Sequence, residues 1–200
     1  MGTTSYNGSL TSEQFLFYEM RIASKFYLGG VPVEEAAAEI RAGNLFQYPT
    51  ERKVTRMVRA CYRRLEALGS HVLAQELAIG PMDAAKQINL YALMRYNRLV
   101  WEFMIQVIGE KFRTQDFSFE RKDLNAFFAR LQAQHDSVAH WSDSTVDRIK
   151  GVLVRCLVET EFLESARDTT LRPVFLCEEL ERGIYENHDL EALIAFNCFR

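Results

Sequence analysis

Cysteine is scarce: four residues, at positions 61, 156, 177 and 198, form no close pair, and none sits near a histidine at ligand spacing. A disulfide framework and a zinc knuckle are thereby excluded, and Cys61 and Cys156 fall instead on apolar helical seams as reduced core residues of a cytoplasmic protein. Histidine makes no constellation either, since His135 and His140 are five apart rather than the four of a helical metal pair. A glycine-rich phosphate loop, a Ser/His/Asp arrangement and a convergent acid pair are all missing, so the residues imply no enzyme, no metal and no cofactor. No apolar run approaches the roughly eighteen residues of a spanning helix. The greasiest stretch, residues 99–109, is interrupted by Glu102 and Gln106, and no membrane partner is expected. Residues 1–10 are polar and contain glycine, unlike a signal peptide. Net positive charge is also lacking, with 24 Lys and Arg against 27 Asp and Glu.

What is present is a globular composition, 48% hydrophobic and 26% charged, sufficient for a sizeable core. Charge is unevenly placed. Over residues 51–66, six cations (Arg52, Lys53, Arg56, Arg59, Arg63, Arg64) stand against Glu51 and Glu66. Over residues 173–199, six acids (Glu178, Glu179, Glu181, Glu186, Asp189, Glu191) stand against Arg182. Such asymmetry marks a polyanion-facing side.

Periodicity and punctuation predict an all-α, compact multi-helix fold with helix-turn-helix-like units. Helices are expected over 12–27, capped by Thr11 or Ser12 and stopped at Gly29-Gly30, and over 33–41 behind Pro32. Thr50 is a natural cap for a basic helix over 52–68, ended by Gly69; a short helix follows over 71–78. The longest helical stretch, 82–111, reads as a central buried helix. Further helices fall over 120–135 and 145–164, the latter capped by Ser142 or Ser144. Residues 171–177, with Pro173, Val174 and Phe175, read as a short extended segment, a β wing. A helix over 178–184 and a helical or irregular tail over 190–199 complete the chain. The division is into an N-terminal unit, 1–80, and a C-terminal unit, 81–200, in which 120–184 has a winged-helix-like order. A faint echo at an offset of 95 residues aligns Thr50, Lys53 and Cys61 with Thr145, Arg148 and Cys156.

The basic helix is the main candidate site. Val54, Val58, Cys61, Leu65 and Leu68 share one face at spacings of three and four, and Arg52, Arg56, Arg59 and Arg63 share the opposite one. One side can pack and the other can offer cations to phosphates. In a helix-turn-helix, Thr50, Arg52, Lys53 and Arg56 would sit where base edges are met, and Arg59 and Arg63 where phosphates are met. The plainer alternative is a solvated arginine face, and the connection over 42–49 is longer than a tight module needs. In the second unit, Thr145, Arg148 and Arg155 are weaker candidates, because Val154 and Val158 give that helix a second apolar side and favour packing. Arg95 and Arg98 interrupt the central helix and are expected to be ion-paired, with Glu102 within reach of Arg98.

Three stretches carry a family resemblance. They are Asn44-Leu45-Phe46-Gln47 with Thr50 and Arg63-Arg64-Leu65; residues 94–103, Met94-Arg95-Tyr96-Asn97-Arg98-Leu99-Val100-Trp101-Glu102-Phe103, running on to Glu110-Lys111; and Ser144-Thr145 with Arg148-Ile149. In order and length the chain resembles the BrxA family of bacterial BREX phage-defence systems. That resemblance implies an all-helical fold partly similar to the antitermination factor NusB. It implies double-stranded DNA binding, no catalysis by this subunit, and work alongside a DNA methyltransferase, an ATPase and other BREX proteins. Competing expectations are a NusB-like RNA-binding factor, and a protein–protein adaptor whose arginine face docks on an acidic surface.

Overall fold

The computed structural model describes residues 6–199; half of the polar 1–10 stretch therefore lies outside the described residues. The architecture is all-α. Helices α1 (Phe17–Leu28), α2 (Val33–Ala42), α3 (Glu51–Leu68), α4 (His71–Ile79) and α5 (Met82–Tyr96) form the first part. Then come α6 (Arg98–Phe103), α7 (Glu110–Arg113), α8 (Arg121–Gln134), α9 (Asp136–Ala139), α10 (Asp143–Glu159) and α11 (Glu178–Glu186). Helix α1 packs on α3 and α4, α2 on α3, and both α3 and α4 on α5. One hydrophobic core runs through the molecule, drawing on residues from Tyr6 to Phe196 and on both halves of the chain.

The amphipathic stripe explains α3. Val54, Val58, Cys61, Leu65 and Leu68 are buried, joined by Met57. Gly69, at φ +68°, adopts the left-handed conformation that a side chain resists and ends the helix. Helix α2 starts behind Pro32 with Glu34 and Glu35 in its first turn, as its dipole favours.

Four expectations need correction. The first helix begins at Phe17, not at position 12, and a short 3-10 turn over Gly8–Thr11 precedes it. The carbonyls of Glu13, Gln14 and Phe15 are occupied by side-chain donors instead of helical amides, and Leu16 turns the chain at φ +54°. The central stretch is not one helix. Asn97 is extended (φ −124°, ψ 110°), and its side chain accepts from the amides of Leu99 and Val100 at 3.1 and 3.4 Å. This side-chain cap starts α6 in the middle of the apolar run, and a π-helical segment over Met104–Gly109 leads on to α7. Helix α10 ends at Glu159, five residues early, where Glu161 turns the chain left-handed at φ +66°. Finally, residues 171–177 make no β wing among the described residues. A single antiparallel bridge joins Ser118 and Thr170, and the chain beyond is tied by scattered bonds, Leu171 N to Phe117 O and Arg172 N to Phe162 O.

Candidate nucleic-acid interface

The outward side of α3 borders an open groove of about 870 Å³. Arg52, Lys53, Arg56, Arg59 and Arg63 all line it, together with Thr50, Thr55 and Glu13. Residues spaced three and four apart on one helix must share a side, and that side is turned to solvent because the other fills the core. The four arginines are exposed and Lys53 is half-buried.

Partners divide these cations into two groups. Arg59 forms a two-pronged pair with Glu34 of α2, at 2.8 and 2.9 Å, and the guanidinium holds the Glu34 carboxyl below its ordinary pKa. Arg63 donates to Glu13 at 2.9 Å and to the Tyr96 hydroxyl at 3.0 Å. Arg52 and Arg56 have no ion-pair partner among the described residues, and the Lys53 ammonium lies 3.9 Å from the centre of the Tyr48 ring. Thr50 occupies the cap position of α3, but its hydroxyl does not accept from the helix and borders the groove instead.

Arg64, one of the six cations of residues 51–66, does not join the basic surface. It is fully buried, and its guanidinium donates to the carbonyls of Phe15 (3.1 Å), Gln14 (2.8 Å) and Glu13. Burial pulls its pKa below the ordinary arginine value. The pattern that reveals this is its register: Arg64 lies three residues after Cys61 and four before Leu68, on the apolar seam.

Residues 11–15 form a strap that Arg64 grips from inside. Across the strap lies a second groove, of about 660 Å³, bordered by Thr11, Gln14, Arg148, Arg155 and Glu159. Arg148 and Arg155 are exposed, and Arg155 donates to the Gln14 side chain at 3.0 Å. Glu13 on one side of the strap and Gln14 on the other thus bring the two basic surfaces side by side, a relation no local pattern announces. Thr145 is not in either groove; its hydroxyl sits 3.0 Å from Ser142 Oγ in the cap of α10. Arg95 and Arg98 are paired as expected, with Asp189 at 3.4 Å and Glu102 at 2.7 Å. Lys111 is held by Asp116 and Asp123 at 2.9 and 3.2 Å, away from both grooves. No helix among the described residues is long and apolar enough to cross a membrane.

Comparison with known proteins agrees with this picture of the fold. The BrxA family matches residues 4–188. A BREX protein BrxA of Bacillus cereus (strain H3081.97) is 31% identical over 162 residues, which cover 81% of this chain and 80% of that one. A BREX protein BrxA of Paramagnetospirillum magneticum is 22% identical over 189 residues, 94% of each chain. A crystal structure of an uncharacterized protein from Magnetospirillum magneticum superposes with a TM-score of 0.81 over 96% of this chain and 97% of its own, at 21% identity. The chain belongs to the BrxA family.

Proposed function

We propose that this BrxA-family component of BREX phage defence binds double-stranded DNA, without catalysis of its own. Phosphates would seat in the α3 groove and the duplex would continue across the 11–15 strap to Arg148 and Arg155. The observation that carries the reading is the convergence of Arg52, Lys53 and Arg56, none of them ion-paired among the described residues, on one open groove. The first backbone amides of α3 add an anion-binding end to the same place, and the free Thr50 hydroxyl adds a donor. Thr50, Arg52, Lys53 and Arg56 then stand where a helix-turn-helix meets base edges, with α2 packed behind as the supporting helix. Arg59 and Arg63 follow as phosphate contacts. Their carboxylate partnerships do not oppose this, because exposed pairs are screened and exchange one anion for another. Few side chains are placed to read bases, so sequence preference is low. The protein would act in the cytoplasm with other BREX proteins, a methyltransferase and an ATPase among them.

The salt dependence of duplex binding tests this with a number. Each neutralised phosphate contributes about 0.9 to the log–log slope, so three free cations give about −2.7, and recruitment of Arg59 and Arg63 gives about −4.5. Fluorescence anisotropy with a labelled duplex reads the slope directly. Arg52→Glu/Arg56→Glu/Arg59→Glu should abolish binding while the fold, read by circular dichroism, persists. Unchanged affinity in that folded variant refutes the surface. Displacement of the duplex by structured RNA at lower concentration than by competing duplex would favour the RNA-binding alternative.

A further inference from the structure

We infer that the bare middle of α10, at Gly151, seats one sugar–phosphate strand of the duplex, held by Arg148 and Arg155 on one side and by Arg167 on the other. This inference rests on the DNA reading and carries its footprint past Arg148 and Arg155. A glycine inside a helix weakens it relative to alanine, so each one calls for a cause. Gly109 and Gly183 have theirs within the fold: a Cβ would lie 2.8 Å from Ile194 Cγ1 at the first and 2.5 Å from Leu73 Cδ1 at the second. Gly151 is different. It stands in the middle of Asp143–Glu159, it is exposed, and a Cβ there meets nothing within 4 Å. Nothing among the described residues requires the missing side chain. A ligand that lies directly on the helix backbone does.

The surroundings identify that ligand. Gly151 borders the groove of Arg148 and Arg155, which lie three residues before it and four after it on the same side of α10. It also borders a further open groove, of about 620 Å³, which contains Arg121, Lys150 and Arg167. Ala166 joins Gly151 in lining both, so the two grooves are continuous over a low saddle. Acids occur along this track, but most are engaged. Glu120 caps α8 and takes Lys122 at 3.0 Å. Asp147 takes Lys150 at 3.5 Å and Arg121 at 3.9 Å. Asp168 accepts from the amides of Glu164 and Thr169 at 3.1 and 3.0 Å. Glu159, at the end of α10, is left with no ion-pair partner among the described residues. Against it stand Arg148, Arg155 and Arg167, all exposed and none with a carboxylate partner among the described residues; Arg155 holds the Gln14 side chain instead. The uncompensated charge is therefore positive. Guanidinium groups on both flanks of a floor made by Gly151, Ala166 and half-buried Val154 fit a phosphodiester strand, with phosphates on the flanks and sugars on the floor. An acidic peptide would meet the same cations. The α3 groove, however, lies beside this track across the strap, and one polyanion covers both.

The test is anisotropy of the full chain with a labelled duplex, beside the Tm of each variant. Gly151→Leu fills the saddle with a side chain that meets open space. Its Tm should lie at or above wild type, because leucine favours the helix where glycine does not. Its duplex affinity should nevertheless fall at least about tenfold, equivalent to the loss of one charge-assisted contact. Opposite signs in stability and affinity separate a ligand contact from a structural role. Should leucine lower the Tm, Gly151→Ala decides instead, with a raised Tm and an affinity still several-fold down. Arg167→Gln should flatten the log–log salt slope by about 0.9. Unchanged affinity in the deciding glycine variant, or an unchanged slope in Arg167→Gln, overturns the inference, while binding by wild type leaves the DNA reading standing. Absence of duplex binding by wild type removes both.

Discussion

Arg64→Met is the most demanding perturbation of the structure, because it strikes the joint between the two basic grooves. The wild-type guanidinium donates to three carbonyls of the strap. After substitution the Phe15 carbonyl keeps the Asn89 amide at 2.9 Å. The carbonyls of Glu13 and Gln14 have no other donor among the described residues. A buried carbonyl left without a donor costs about 1–3 kcal/mol; the Glu13 carbonyl bears that in full and the part-buried Gln14 carbonyl less, so the pair costs about 2–5 kcal/mol. Two effects offset part of that. Removal of a charge that burial disfavours is a gain, and the Arg64 Nε, which lacks an acceptor already, disappears. A net loss of about 3 kcal/mol lowers Tm by about 6–12 °C at the 2–4 °C per kcal/mol of a chain this size. Scanning calorimetry and urea unfolding at constant m-value measure it. At a temperature where the variant stays folded, duplex affinity should change too, because the freed strap no longer holds Glu13 against Arg63 or Gln14 against Arg155. A Tm equal to wild type or above it refutes the reasoning: the strap would then be held by the packing of Leu10 and Phe15, and the guanidinium would be replaceable by a hydrophobe of similar length.

Two further outcomes are specific. Glu34→Gln releases Arg59 and should raise duplex affinity several-fold at low salt, an effect that anisotropy shows shrinking as salt rises. Because Arg59 holds the Glu34 pKa below its unfolded value, the pair's contribution to stability is present above the ordinary carboxylate pKa and is lost as pH falls through the depressed one. The variant should therefore be slightly less stable than wild type at pH 7 and converge with it as pH falls through the depressed pKa. Asn97→Ala removes the side-chain cap of α6 and should cost about 1–2 kcal/mol in chemical unfolding. A neutral result would mean that the break between α5 and α6 is imposed by packing alone.

The sequence by itself determined the helical class, the apolar seam of α3 and the opposite arginine stripe. These are local consequences of spacing: residues three and four apart share a side whatever the rest of the chain does. It also determined the pairing of Arg98 with Glu102, one turn away on the same helix. Only the tertiary structure decided which cations face solvent unpaired. Arg59 and Arg63 meet Glu34 and Glu13, residues 25 and 50 positions distant, and Arg64 turns inward to hold a strap drawn from 49 to 51 positions away. The same holds for the break at Asn97, where a local cap outcompetes a continuous apolar run, and for the missing wing, where Gln87 takes the backbone bonds that a strand would need. Periodicity reports a residue's side of its own helix. Burial, charge neutralisation and backbone pairing depend on which other element arrives opposite, and that is a property of the folded chain.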